Sequence, residues 1–259
     1  MEKIFLDVFI KLRSSKHLIA WGMAFFIFLW MGFSQKTQAA LDTGTWKNRS
    51  PAPSKRTEVA ATITDGKIYV VGGFGTLGPT NRVEAYNPEK DIWEQHPPLP
   101  VRLHHAGIGS LGGKIYVVGG FQNIFSWKPV NFLFEYDPKV KKWERKAPMP
   151  TSRGALTASV LKGKLHAIGG LGKNGNVNAH EVYDPVRDLW EKKAPLPTPR
   201  DHMVSAVVKN KIFVIGGRLN SSFHKNLDVN EIYDSVNDQW TVGKNLPTPR
   251  SGMGAGVLE

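Results

Sequence analysis

Tryptophan returns at Trp46, Trp93, Trp143, Trp190 and Trp240, at separations of 47, 50, 47 and 50 residues, and each time in the same company. Paired glycines stand at Gly72-Gly73, Gly119-Gly120, Gly169-Gly170 and Gly216-Gly217, and a proline-containing segment ending in arginine follows each tryptophan, giving Arg56, Arg102, Arg153, Arg200 and Arg250. Self-similarity at this period is the signature of a repeat architecture and constrains the fold before any local motif does.

Within one period the order is a strand of small residues (VAATIT from Val59), a turn at Asp65-Gly66, a strand KIYVV from Lys67, and the glycine pair. After a variable loop comes EAYNP, with counterparts EYDP, EVYDP and EIYDS, then a turn and a short strand containing the tryptophan. Four strands joined by tight turns make one antiparallel sheet. KIYVV, KIFVI and KLHAI alternate with period two, and both resulting faces are largely apolar, so both must be covered. One such sheet cannot bury two faces alone; stacking sheets around an axis does so and leaves only short edges. The chain therefore reads as all-β, with blades of a β-propeller spanning about residues 57–100, 103–150, 154–197 and 201–247.

The double glycine after KIYVV, the tyrosine of YNP or YDP (Tyr86, Tyr136, Tyr183, Tyr233) and the tryptophan seven residues later together resemble the kelch-repeat family, over residues 46–259. The resemblance implies a kelch-type propeller and leaves function open, because kelch-like propellers serve enzymes, sugar-active proteins and protein adaptors alike. Physical roles follow from the residues themselves. The glycines admit a positive φ or a neighbouring backbone, and each tryptophan fills the gap between adjacent blades. Glu84, Glu181 and Glu231, two residues before the blade tyrosine, recur with the arginines and suggest an ion pair between blades; blade 2 has Phe134 there, with Glu135 beside it.

The loop after the glycine pair alternates in length: Gly73 to Tyr86 and Gly170 to Tyr183 are 13 apart, Gly120 to Tyr136 and Gly217 to Tyr233 are 16 apart. The higher-order unit is thus a pair of blades 97 residues long. The reading is four complete four-stranded blades in residues 40–259, with partial strands at both ends, one from Trp46 and one in SGMGAGVLE: an incomplete six-bladed ring whose open ends favour self-association.

Residues 1–39 are set apart. Lys3, Lys11, Arg13 and Lys16 precede the uncharged run Leu18 to Phe33, and Ala39 and Ala40 follow. Positive, apolar, then small is the order of an export signal, which places the repeats in a periplasmic or secreted location; the alternative is an uncleaved N-terminal membrane anchor. Membrane contact is expected only through this segment. Of the net charge of +12, the N-terminal segment accounts for +3 (five positive, two negative) and the remaining +9 is spread through turns without aromatic platforms, so no nucleic-acid partner is expected. The absence of cysteine excludes disulfides and thiolate chemistry.

In a propeller the loops from second to third strand and from blade to blade share one face. That face nominates Glu58, His104, His105, Phe121, Asn123, Trp127, Asn174, Asp201, His202, Arg218, Asn220 and His224 for binding a protein or glycan, the aromatic ones as exposed anchors. His104 and His202 are placed at equivalent positions of different blades, yet no carboxylate–histidine spacing accompanies them, so neither metal nor other cofactor is expected. Copper-oxidase chemistry of the kelch-like kind needs a tyrosine cross-linked to cysteine, which is lacking here. The alternative to a binding module is a sugar-active enzyme resembling the exported sialic-acid mutarotases, with Glu58, His104, His202 and Arg218 as candidates for proton transfer or for holding an acidic sugar.

Overall fold

Runs rich in valine, isoleucine and tyrosine, bounded by turn residues, become strands because branched and aromatic side chains pack well on a pleated surface. In the computed structural model, which describes residues 45–125 and 127–257, they form four antiparallel sheets of four strands. Blade 1 holds Ala60–Thr64, Lys67–Val71, Val83–Asn87 and Ile92–His96. Blade 2 holds Gly107–Leu111, Lys114–Val118, Leu133–Asp137 and Lys142–Lys146. Blade 3 holds Thr157–Leu161, Lys164–Ile168, His180–Asp184 and Leu189–Lys192; blade 4 holds Val204–Val208, Lys211–Ile215, Asn230–Asp234 and Gln239–Val242. In each sheet the strands pair in chain order. Small hairpins, Phe74–Gly75 with Gly78–Pro79 and Leu171–Gly172 with Gly175–Asn176, decorate the shorter loops of blades 1 and 3. The expected export signal or anchor over 1–39 lies outside the described residues.

First strands of successive blades lie side by side and line a cleft of about 510 Å³ with Ala61, Thr62, Ile108, Gly109, Ala158 and Ser159. Small residues are required here. A Cβ on Gly109 would meet Leu165 Cδ1 at 2.8 Å.

In each of the four blades the repeat tryptophan stands directly opposite the tyrosine: Tyr86 with Trp93, Tyr136 with Trp143, Tyr183 with Trp190 and Tyr233 with Trp240. From there its indole N–H reaches back to the segment entering the blade, donating to the carbonyls of Ser50, Pro97, Ala147 and Ala194 at 2.8–2.9 Å. Asp91, Asp188 and Asp238 complete the clamp, each accepting the tyrosine hydroxyl and the backbone N–H of Ser50, Ala147 or Ala194. Blade 2 has Lys141 where the others have aspartate, and its entering segment has Pro97, which carries no N–H to donate. The two departures belong together.

The expected arginine–glutamate pairs form between buried groups, Arg56 with Glu84 at 2.7 Å, Arg153 with Glu181 at 2.5 Å, and Arg200 with Glu231, but each ties the segment entering a blade to the third strand of that same blade instead of linking two blades. Arg153 and Arg200 are fully buried, and further N–H groups reach the carbonyls of Thr151 and Ala167, and of Thr198, Val214 and Gly216. Arg102 corrects the series. It is exposed and one residue out of step, so Leu103 stands at the arginine position, as its carbonyl shows by accepting from Gly73 just as Arg153 accepts from Gly120. With Phe134 at the glutamate position, blade 2 has exchanged the pair for an apolar contact, and Leu103 and Phe134 share one buried cluster.

At the ends the structure differs from the strand expectation. Residues 45–59 and 243–257 form no ladder, and Trp46 is fully exposed. A fourth strand pairs with the third strand of its own blade, and no described residue supplies that third strand for Trp46, nor a second strand for residues 251–257.

Between blades 3 and 4 two histidines are buried together. His180 donates through Nδ1 to the Ala194 carbonyl at 3.2 Å and accepts through Nε2 from His166 Nδ1 at 2.9 Å, so the network assigns both as neutral. Burial lowers His166 to about 3 and His180 to about 4.

Two outcomes are expected. Glu181→Ala strands a buried guanidinium and costs about 3–5 kcal/mol, whereas the double change Arg153→Leu with Glu181→Phe, which copies blade 2, costs less than either single change in urea denaturation. For the histidines, folded pKa values lie below the unfolded value of about 6.5, so the unfolded chain takes up protons first as pH falls. Their contribution is intact above about pH 6.5 and lost on acidification at up to ~1.4 kcal/mol per pH unit per histidine. Urea midpoints at pH 7 and pH 5 should separate strongly in the wild type and less in His166→Phe with His180→Val; equal separation would refute the assignment.

Candidate functional site

The glycine pair fixes where each blade meets the next. In blade 1 both glycines have positive φ, 62° and 92°, and a Cβ on Gly72 or Gly73 would lie 2.5 Å from the carbonyl oxygen of Leu103 or Thr57. The junction segments dock onto these bare backbones, and two residues beyond each docked arginine, or Leu103, the chain turns at the axis. The turning residues are Glu58, His105, Ala155, His202 and Gly252, all left-handed, with φ of 51°, 54°, 51°, 53° and 62°.

These five residues hydrogen-bond to one another through the backbone. His105 N–H donates to Glu58 at 3.3 Å, Ala155 to His105 at 2.8 Å, His202 to Ala155 at 3.0 Å and Gly252 to His202 at 2.9 Å. Four carry a Cβ in a conformation that costs on the order of 1–3 kcal/mol each. The belt holds them there. It also corrects the alignment of the histidines: His105, not His104, is the equivalent of His202, while His104 corresponds to Asp201.

Side chains of Glu58, His105 and His202 meet in a depression of about 310 Å³ whose walls include Val59, Ala106, Leu156, Met203 and Met253. Glu58 Oε2 lies 3.1 Å from His105 Nε2. Behind it, His104 Nε2 donates to the Asn123 carbonyl at 3.2 Å, which leaves His104 Nδ1 to accept from His105 Nδ1 at 2.6 Å. His105 Nε2 therefore faces the opening. On the other side His202 Nδ1 donates to Asp201, and its Nε2 lies 2.8 Å from Arg218 Nη2, which can only donate. Asp201 is a fully buried hub that also accepts from Asn176 Nδ2 at 2.6 Å, the Ser221 N–H at 2.9 Å and Arg218 Nε at 3.4 Å.

Electrostatics follow from these contacts. Glu58 lies below the usual carboxylate range, chiefly through its hydrogen bond with His105. Burial lowers His104 to about 4, and burial likewise lowers His202 despite Asp201. Burial pushes Asp201 upward, but the donors from His202, Ser221 and Asn176 outweigh it and the carboxyl ends below its ordinary value.

The nominated residues divide by depth. Phe121, expected as an exposed anchor, is fully buried and packs with His104 and Trp127, because the bridge between His104 and Phe121 draws the loop inward. Trp127 is half-buried against His105, with ring centroids 5.0 Å apart. Asn220 accepts from and donates to Asn176, joining the loops of blades 3 and 4. Arg218 is buried, with its guanidinium 4.3 Å from the ring centre of Phe223. Asn174 and His224 are exposed on their loops and outside the cluster. Sequence reasoning missed Asn176 as a partner of Asp201, and Phe74, whose ring lies 4.1 Å from His104; both lie in the small hairpins, for which the repeat carries no signal.

The profile of the KLHDC2/KLHL20/DRC7 Kelch-repeats domain matches residues 95–259, and that of the Kelch motif matches residues 55–100. No curated protein matches the chain. A solved structure titled "Structure of YjhT" aligns with a TM-score of 0.70 and 19% identity, covering 80% of this chain and 76% of that one, a likeness that shows the fold alone. Four sheets with facing tyrosine and tryptophan, the glycine docking sites and these matches agree: the chain belongs to the kelch-repeat family.

Proposed function

We propose that this chain is a kelch-repeat binding module, exported by its N-terminal segment, that takes a protein or glycan ligand in the mouth formed by its blade junctions. The observation that carries the proposal is the convergence of Glu58, His105 and His202, from three different junctions, on one open depression beside Trp127. A carboxylate, imidazoles and an aromatic ring supply directional polar contacts together with a flat surface. The backbone belt pre-pays their ordering, which favours affinity.

A second reading, a sugar-active enzyme of the mutarotase or epimerase type, draws on the 3.1 Å approach of Glu58 to His105, within reach of proton exchange with a bound hydroxyl.

Glycan and peptide arrays probed with the full chain test the first reading. Glu58→Gln and Trp127→Ala should each weaken capture by about tenfold or more, on the scale of a single interface anchor, without lowering the unfolding midpoint by more than a few degrees; capture indifferent to both variants would remove the mouth as the binding site. NMR of anomer exchange in the captured sugar separates the two readings, since accelerated mutarotation that Glu58→Gln abolishes belongs to an enzyme.

A further inference from the structure

Two of the converging groups are imidazoles whose outer nitrogens are already committed. His202 Nδ1 donates to the Asp201 carboxylate, and His105 Nδ1 donates to His104, which is itself fixed by the Asn123 carbonyl. A histidine that ligates a metal almost always gives its other N–H to such an acceptor, and the carboxylate–histidine arrangement of Asp201 and His202 is the usual form. His105 Nε2 then faces the mouth, where a metal ion would replace the proton it shares with the Glu58 carboxylate, and His202 Nε2 is turned toward Arg218. One donor atom from each of the three residues lies within 4.8 Å of the others.

We infer that Glu58, His105 and His202 form a binding site for a divalent transition-metal ion of the zinc or cobalt class. Two imidazoles and one carboxylate suit these ions and not the harder magnesium or calcium. Bonds of 2.0–2.1 Å in a tetrahedral site set donors about 3.3 Å apart. Glu58 and His105 are already at 3.1 Å, and the Glu58 side chain, 43% exposed, is free to move toward His202. Ala155 and Gly252, at the remaining belt positions, bring no competing side-chain donor and leave room. Three protein ligands leave a fourth position open, and here it faces the depression of about 310 Å³.

Arg218 bears directly on the assignment. Its Nη2 lies 2.8 Å from His202 Nε2, so a cationic N–H occupies the lone pair that the metal would use. Metal entry requires the guanidinium to move off that lone pair. The site stands whether the mouth takes a protein or a glycan, so its test is independent of the reading above.

The test is titration of the full chain, free of any histidine tag, with Co²⁺ followed by visible absorption, and then displacement by Zn²⁺. One equivalent should bind. His105→Asn, His202→Asn and Glu58→Gln should each weaken it by at least about tenfold, the scale seen even for partners one shell out, and Glu58→Gln, at a half-exposed position, keeps the test valid should the histidine variants fold poorly. Arg218→Ala should tighten binding. Absence of Co²⁺ binding, or binding unchanged by Glu58→Gln, would overturn the site; an Arg218→Ala affinity equal to that of the wild type would overturn His202 Nε2 as a ligand.

Discussion

Everything in this fold depends on the junction between blades lying flush against bare glycine backbone. Gly73, Gly120, Gly170 and Gly217 each donate an N–H to the carbonyl of the residue ending the next junction, Leu103, Arg153, Arg200 or Arg250, at 2.8–3.0 Å. At Gly72 and Gly73 a Cβ would stand 2.5 Å from a carbonyl oxygen, a distance no real side chain tolerates. A substitution there is strained twice, by positive φ and by lost space. Once the junction is docked, its arginine is carried into the sheet and its turning residue to the axis. The glycine pair therefore sets both the stacking of blades and the position of the candidate site.

Blade 2 shows how such a device tolerates exchange when whole interactions change together. Leu103 and Phe134 replace the arginine and glutamate, and Pro97 and Lys141 replace a donor and the aspartate that would receive it. Removing one partner of a buried ion pair leaves an uncompensated charge, whereas replacing both with well-packed apolar groups is often neutral. The unpaired N–H and carboxylate of the clamp obey the same asymmetry. Two linked exchanges within one chain are what these rules require.

The scaffold was legible because its determinants recur: glycine pairs, tyrosine–tryptophan pairs and arginines announce themselves by period. Arg102 was misread because it sits one residue from the true repeat position, and only the hydrogen bond from Gly73 to Leu103 reveals the shift. The site was half legible. Its residues were all nominated from loop positions, but the error that paired His104 with His202 hid the match of Glu58, His105 and His202, which stand 47 and 97 residues apart. No metal-like spacing exists along the chain because the ligands are spaced by the fold's period. The inward draw of Phe121 and the Asn176–Asn220 link arise from loops whose lengths alternate, where repetition carries no information.

That failure points to where the junctions of this repeat differ from one another. At the turning position the backbone is held constant, left-handed and belted, while the side chain is free to differ: glutamate, histidine, alanine, histidine, glycine. Glycine alone would fit that φ without strain, yet four of the five positions bear a Cβ, and three bear groups with strong donors or acceptors. The neighbouring position follows the same logic, since His104 and Asp201 are the two residues that fix the imidazoles beside them. Strain retained at equivalent places, together with partners that orient the strained side chains, is what separates the mouth from the rest of the junctions, where the repeat enforces backbone fit and little else.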